Sequence, residues 1–168
     1  MTQLKPVIER VPFGDHFDYP ADLPLTPYEQ DRRELLARYS HFARERGHEI
    51  TGYLIQPPGS EEQLVVELFN ATTSQLVVTC ATLQRDNGGV GGVWYAIGTL
   101  ADLARFLPPH VRSVLVLPAE PDDDLGGLFA LRSITPVWPV DDSIAFTNPQ
   151  QQARINDPLI YPNGEPSL

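Results

Sequence analysis

The sequence predicts an α+β fold in a single domain, built on a mixed, mostly antiparallel β-sheet. Three observations support this class. A capped, amphipathic stretch near the N-terminus predicts one long helix, three β-rich runs separated by short turns predict an antiparallel meander, and a later strand–helix–strand pattern predicts a βαβ unit with one short helix. The length of 168 residues suits one domain, 1–168, which buries about two-thirds of the surface of its unfolded chain.

The long helix is predicted over residues 26–46. Thr26 stands at an N-cap position, Pro27 at the first helical position and Glu29 three residues after the cap, which together form a capping box. Apolar residues recur at helical spacing, and Gly47 is a typical stop. The residues that precede the helix, 1–25, contain four prolines and are predicted to be an irregular lead-in.

Three strands are predicted after the helix, at Glu49–Ile55, Leu64–Phe69 and Gln75–Leu83. The turns between them are short, so the strands are expected to pair as an antiparallel meander. Cys80 lies on the apolar face of the third strand, with no neighbouring cation in the sequence. It is predicted to be a small buried hydrophobe rather than a reactive thiol.

The βαβ unit is predicted in the next part of the chain. A glycine-rich loop at 84–92 precedes a predicted strand at Val93–Ile97. Thr99 is expected to cap a short helix, Leu100–Leu107, which Pro108 and Pro109 end, and Val111–Leu117 completes the unit as a strand.

The last part of the chain is predicted to be mostly loop. An exposed acidic loop is expected at 118–127, followed by two possible strands, Leu128–Ile134 and Ser143–Thr147, on either side of the Pro136–Pro139 segment. Residues 148–168 are rich in proline and asparagine and are predicted to form an extended C-terminal tail.

The charge limits the classes of partner. The net charge is −10, which argues against a nucleic acid or an anionic membrane, because both require clustered lysine and arginine. A basic protein partner is compatible with this charge, although acidity also serves solubility alone. One cysteine, no signal-peptide pattern and no long apolar run predict a cytoplasmic location.

The acidic residues concentrate in the C-terminal third of the chain. Two groups of aspartates flank an aromatic residue, which is the composition of a surface that docks a basic protein. The alternative is that the tryptophan belongs to the core and the aspartates are solvated turn residues. The predicted partner-binding residues are Glu120, Asp122, Asp123, Asp124, Trp138, Asp141 and Asp142.

No pattern for metal, cofactor or catalysis stands out in the sequence. The Asp122–Gly126 segment lacks the alternate spacing and closing glutamate of a calcium loop, and cysteine and histidine pairs for zinc are missing. The Asn87–Gly92 segment is rich in glycine, but it has no lysine and a strand is predicted to follow it, which does not suit a phosphate cradle. No cofactor, metal or catalytic residue is therefore predicted.

The overall profile is similar to that of toxin-neutralising immunity proteins and other small protein inhibitors, a resemblance that no specific motif carries. It implies a binding module that covers the basic surface of a partner such as a toxin or nuclease. A second hypothesis is a small enzyme whose site gathers His48, Arg85, Asp86 and Tyr95 around the glycine-rich loop. A third is a structural or assembly component, for example a homodimer formed through a sheet edge.

Overall fold

The computed structural model describes residues 5–14, 24–86, 88, 91–140 and 146–147. In this part of the chain a mixed sheet of six strands, extended by a two-residue seventh strand, packs against three helices. The elements in chain order are β1 (Val7–Val11), α1 (Pro27–Glu45), β2 (Ile50–Gln56), β3 (Leu64–Asn70), β4 (Gln75–Thr79), α2 (Val93–Ala104), β5 (Arg112–Val116), α3 (Asp123–Leu131), β6 (Ile134–Pro139) and β7 (Phe146–Thr147).

The strands lie in the sheet in the same order as in the chain. The pairs from β1 to β4 are antiparallel, β4, β5 and β6 are parallel, and β7 returns antiparallel to β6. The fold is thus α+β with a mixed sheet. It holds two parallel pairs, in the strand–helix–strand units β4–α2–β5 and β5–α3–β6. The predicted βαβ unit had its first strand at Val93–Ile97, where α2 begins, so the parallel pair that it implied does not form.

Helices cover both faces of the sheet. Along β5, Val114 and Val116 contact α1, whereas Leu115 between them belongs to the cluster beneath α2 and α3. This alternation follows from the two-residue period of a strand. The carboxyl half of β5 is therefore buried on both faces, and the carboxyl ends of the three parallel strands lie at the same edge of the sheet, between the helical layers.

Helix α1 begins where the capping pattern lies. The Thr26 hydroxyl accepts a hydrogen bond from the Glu29 amide at 3.2 Å, and Pro27 occupies the first turn. Leu35, Leu36 and Tyr39 bury their side chains against the sheet. Within the described residues, no helix is long and apolar enough to span a bilayer.

The strand predicted at Val93–Ile97 is wrong, because these residues form the first turns of α2. Val93, Ala96, Leu100 and Leu103 are buried at a helical spacing that continues through the position where Thr99 was expected to begin a new helix. Thr99 lies inside α2 and donates its hydroxyl to the Tyr95 carbonyl at 2.9 Å. A short apolar run such as 93–97 suits either element, and here burial against the sheet decides for the helix.

The loop predicted at 118–127 and the strand predicted at Leu128–Ile134 are also wrong in part. Asp122 caps α3, which runs from Asp123 to Leu131 and buries Leu125 and Phe129. The Pro136–Pro139 segment, predicted to separate two strands, lies within β6. Asp122 and the two acids after it are typical of a helix N-terminus. The glycines at 126 and 127 disfavour a helix, and the segment was therefore predicted to be a loop.

Two terminal predictions have different outcomes. The lead-in at 1–25 is not wholly irregular, because it contains β1. The tail at 148–168 and most of the predicted Ser143–Thr147 strand lie outside the described residues, although Phe146 and Thr147 form β7.

Candidate functional site

The predicted acidic residues Glu120 and Asp122–Asp124 lie just beyond the carboxyl end of β5, at the start of α3, and all four are exposed. Asp122 has a structural task, since its Oδ1 accepts a hydrogen bond from the Leu125 amide at 2.8 Å. Asp124 forms an ion pair with Arg85 in the loop after β4. In open sheets with parallel strands, this carboxyl edge is where ligands most often bind.

A groove of about 470 Å³ lies between α2 and α3 beside these acids. We call it the α2–α3 groove. Its lining residues are Arg85, Trp94, Asp123, Asp124, Gly127, Leu128 and Leu131. Trp94 is 59% exposed and Leu131 is 79% exposed, so large apolar side chains face solvent next to two carboxylates. Exposed apolar surface rimmed by charge is typical of a protein-binding site.

Gly126 and Gly127 stand in the middle of the nine-residue helix α3. Glycine inside a helix costs about 1 kcal/mol relative to alanine. A Cβ added at either position would meet no described atom within 4 Å, and neither residue has a positive φ. The packing of the described chain therefore does not require these glycines. At Gly127, which lines the groove, the missing side chain would let a ligand approach the helix backbone closely.

Trp138, the predicted aromatic anchor, lies in β6 and is half-buried against the core beneath α2 and α3. It is not among the residues that line the α2–α3 groove, where Trp94 supplies the aromatic ring. Asp141 and Asp142 lie outside the described residues. The role of these three residues in partner binding stays a prediction. No role in the site was predicted for Trp94, because the 93–97 run was interpreted as a strand.

The glycine-rich loop leads into a helix rather than the predicted strand, which reopens the question of a phosphate cradle. Gly92 occupies the N-cap of α2 without a side-chain hydrogen bond. The first two helical amides are already used, however: Val93 N donates to the Gln84 carbonyl at 2.9 Å and Trp94 N to the Arg85 carbonyl at 3.1 Å. These amides point at the chain's own loop, so the helix start is not arranged as an anion site.

Tyr28 on α1 holds the end of this loop from the other side. Its hydroxyl lies 3.8 Å from Cys80 Sγ and 3.4 Å from the Ala81 amide. Cys80 is fully buried, as predicted, and burial raises the pKa of its thiol. A buried thiol with a raised pKa is a poor nucleophile, so this cluster joins the loop to the sheet rather than performing chemistry.

A partly buried charge cluster joins α1 to the sheet. Arg32 pairs with Glu29 at 2.6 Å and with Glu67 at 2.9 Å, and its Nη1 lies 3.3 Å from the Thr79 hydroxyl. Burial opposes ionisation of Glu29, but its hydrogen bonds and charge interactions with Arg32 and Arg33 prevail and hold its carboxyl pKa below the usual value. The carboxylates satisfy the guanidinium of Arg32, which suits a structural role.

A bulge in β3 makes this cluster possible. Thr51 pairs with Phe69 and Tyr53 pairs with Val66, so β3 contains one more residue than β2 over the same stretch. The extra residue changes the alternation, and both Glu67 and Leu68 contact α1.

A smaller cavity of about 240 Å³ lies where α1 meets the carboxyl ends of β4 and β5. Asp31, Glu34, Leu35, Arg38, Ala81 and Pro118 line it. Pro118 begins the loop that leads to Asp122, so acidic side chains lie on both sides of this edge of the sheet. Within the described residues, no group of three or more potential ligands could hold a metal ion.

The residues of the hypothetical enzyme site do not gather in either cavity. His48 Nδ1 lies 3.0 Å from Asn70 Nδ2, and Asn70 pairs with the first residue of β4. Arg85 follows the opposite end of β4, so a strand about 15 Å long separates the two. Burial and the charge of Arg46 lower the pKa of His48.

No family model matches the chain, and neither the curated proteins nor the solved structures contain a match.

Proposed function

We propose that this protein is an acidic protein-binding module that docks a basic partner in the α2–α3 groove. The observation that carries the proposal is the position of Trp94, which exposes most of its ring beside the carboxylates of Asp123 and Asp124. Aromatic side chains supply much of the affinity of protein interfaces, and charges on the rim steer the encounter.

The sequence suggests a specific form of this function. It is an inhibitor or immunity-type protein that covers a basic toxin or nuclease in the cytoplasm. The net charge of −10 supports a basic partner over a second copy of the chain, since two copies facing each other through this groove would bring together four aspartates. The separation of His48 from Arg85 weakens the competing enzyme hypothesis.

The test is site-specific photo-cross-linking in native lysate. A photoreactive residue in place of Leu131, which is exposed and lines the groove, should capture one stoichiometric basic partner with Trp94 left intact, whereas the same residue at exposed Ile8 on β1 should not. The neutralised variant D123N/D124N should lose the partner. E61Q/E62Q makes the same change of charge at two exposed acids that do not line the groove and should retain it.

Asp122 stays unchanged in this design because its loss would remove the cap of α3. The association rate of the captured partner should fall as salt rises, because exposed charges are screened beyond about 8 Å at physiological ionic strength. Capture at position 8 but not at 131, or equal loss in both double variants, would overturn the assignment of the groove.

A further inference from the structure

Among the described residues, Arg85 is the one cation that lines the α2–α3 groove. Its guanidinium pairs with the Asp124 carboxylate across 39 positions of sequence. Its backbone carbonyl accepts a hydrogen bond from Trp94 N, which fixes Arg85 next to the exposed ring. The groove thus already contains an arginine beside an aromatic side chain and a carboxylate.

We infer that the partner inserts an arginine side chain into the α2–α3 groove, where it replaces Arg85 on Asp124. This inference rests on the proposed function and adds the chemistry of the contact. Arg85 is then an internal competitor that occupies the acidic site when the partner is absent.

The exposure of the ion pair makes the exchange feasible. The side chains of Arg85 and Asp124 are 39% and 80% exposed, so water and salt screen their attraction. Exposed pairs of this type shift an equilibrium by only about 1.4- to 5-fold, which an incoming side chain with additional contacts can exceed.

The groove suits arginine better than lysine. A guanidinium is planar, so it can stack on an indole face while it donates two hydrogen bonds to a carboxylate. Trp94 presents the face, Asp123 and Asp124 present the carboxylates, and Gly127 leaves room for the backbone that carries the arginine. A lysine ammonium is a point charge and would use fewer of these features.

The experiment is a titration of the full chain with the tripeptide N-acetyl-Arg-Leu-Arg-amide, followed by NMR through the two indole N–H signals. Trp94 reports on the groove, and the half-buried Trp138 is the internal reference. The variants are R85Q, D124N and R105Q. Arg105 forms an exposed pair with Asp102 at the end of α2, so R105Q changes the charge equally without touching the groove.

The expected result is a saturable shift of the Trp94 signal with little change at Trp138. The affinity should rise about two- to fivefold in R85Q, stay within about 1.5-fold in R105Q and be largely lost in D124N. The corresponding lysine peptide should bind more weakly to all forms.

Two outcomes would overturn the inference, and they differ in what they mean for the proposed function. If Trp94 responds but R85Q binds no more tightly than R105Q, Arg85 is not a competitor, and the groove remains a binding site. If Trp94 does not respond in the wild type or in R85Q, the groove does not take arginine, and the proposed docking of a basic partner there falls as well.

Discussion

The ring of Tyr28 occupies the space that a side chain at position 91 would need. A Cβ built on Gly91 would overlap Cε1 and Cζ of Tyr28, and the Gly91 backbone is left-handed with φ of +79°. Glycine is therefore required at position 91, near the end of the glycine-rich loop, both by its backbone conformation and by its contact with α1. Through this contact α1 helps to place the start of α2, and with it Trp94.

We expect G91A to destabilise the protein more than G59A does. Gly59 is also left-handed, with φ of +73°, but has open space around it, so G59A should lose only about 1–2 kcal/mol. G91A adds a steric overlap worth about 1–3 kcal/mol more. Urea denaturation measures both, and in a Y28A background the excess cost of G91A should disappear. An excess that persists there would show that Tyr28 is not its cause.

Alanine at either glycine of α3 should stabilise the fold. Each of G126A and G127A is expected to raise the free energy of unfolding by about 0.4–1 kcal/mol, because both sites are helical with open space. Only Gly127 lines the α2–α3 groove, so only G127A should weaken partner binding. Equal affinity of the two variants, measured by calorimetry with the captured partner, would mean that the ligand does not approach the backbone of α3.

Removing Arg32 should destabilise the protein in a pH-dependent way. R32Q leaves Glu29 and Glu67 partly buried without their main partner and should cost about 2 kcal/mol at pH 7. The pKa of Glu29 is lower in the folded state than in the unfolded state. The ionised carboxylate therefore stabilises the fold above the unfolded-state pKa of about 4.3, and this stabilisation is lost as the pH falls through the folded-state pKa. The deficit of R32Q should thus shrink below about pH 4.

The control for this prediction is R105Q, which breaks an exposed pair and should cost less than about 0.5 kcal/mol at any pH. Urea unfolding of both variants between pH 3 and pH 7 provides the comparison. A deficit of R32Q that stays constant over this range would contradict the role given to Glu29.

The two tryptophans should separate stability from binding. W94A removes an exposed ring and should change the free energy of unfolding by less than about 0.5 kcal/mol, yet abolish partner binding. W138A removes a half-buried ring from the core beneath α2 and α3 and should cost about 2–3 kcal/mol. Loss of binding in W138A with full binding in W94A would favour Trp138 as the anchor.

Local chemistry determined several parts of this protein. Thr26, Pro27 and Glu29 lie within four positions, so the start of α1 is readable from the sequence. The β2–β3–β4 meander and the burial of Cys80 follow from apolar pattern and short turns. The exposure of Glu120 and Asp122–Asp124 likewise follows from their charge.

The tertiary structure decided the rest. The 93–97 and 128–131 runs became helices because the parallel pairing of β4, β5 and β6 requires a crossover between successive strands. The same pairing brings Arg85 to Asp124, 39 positions away. The groove that contains Trp94 exists only after α2 and α3 lie side by side on the sheet. No local pattern encodes such contacts, because they depend on which strands pair and not on the propensity of either segment.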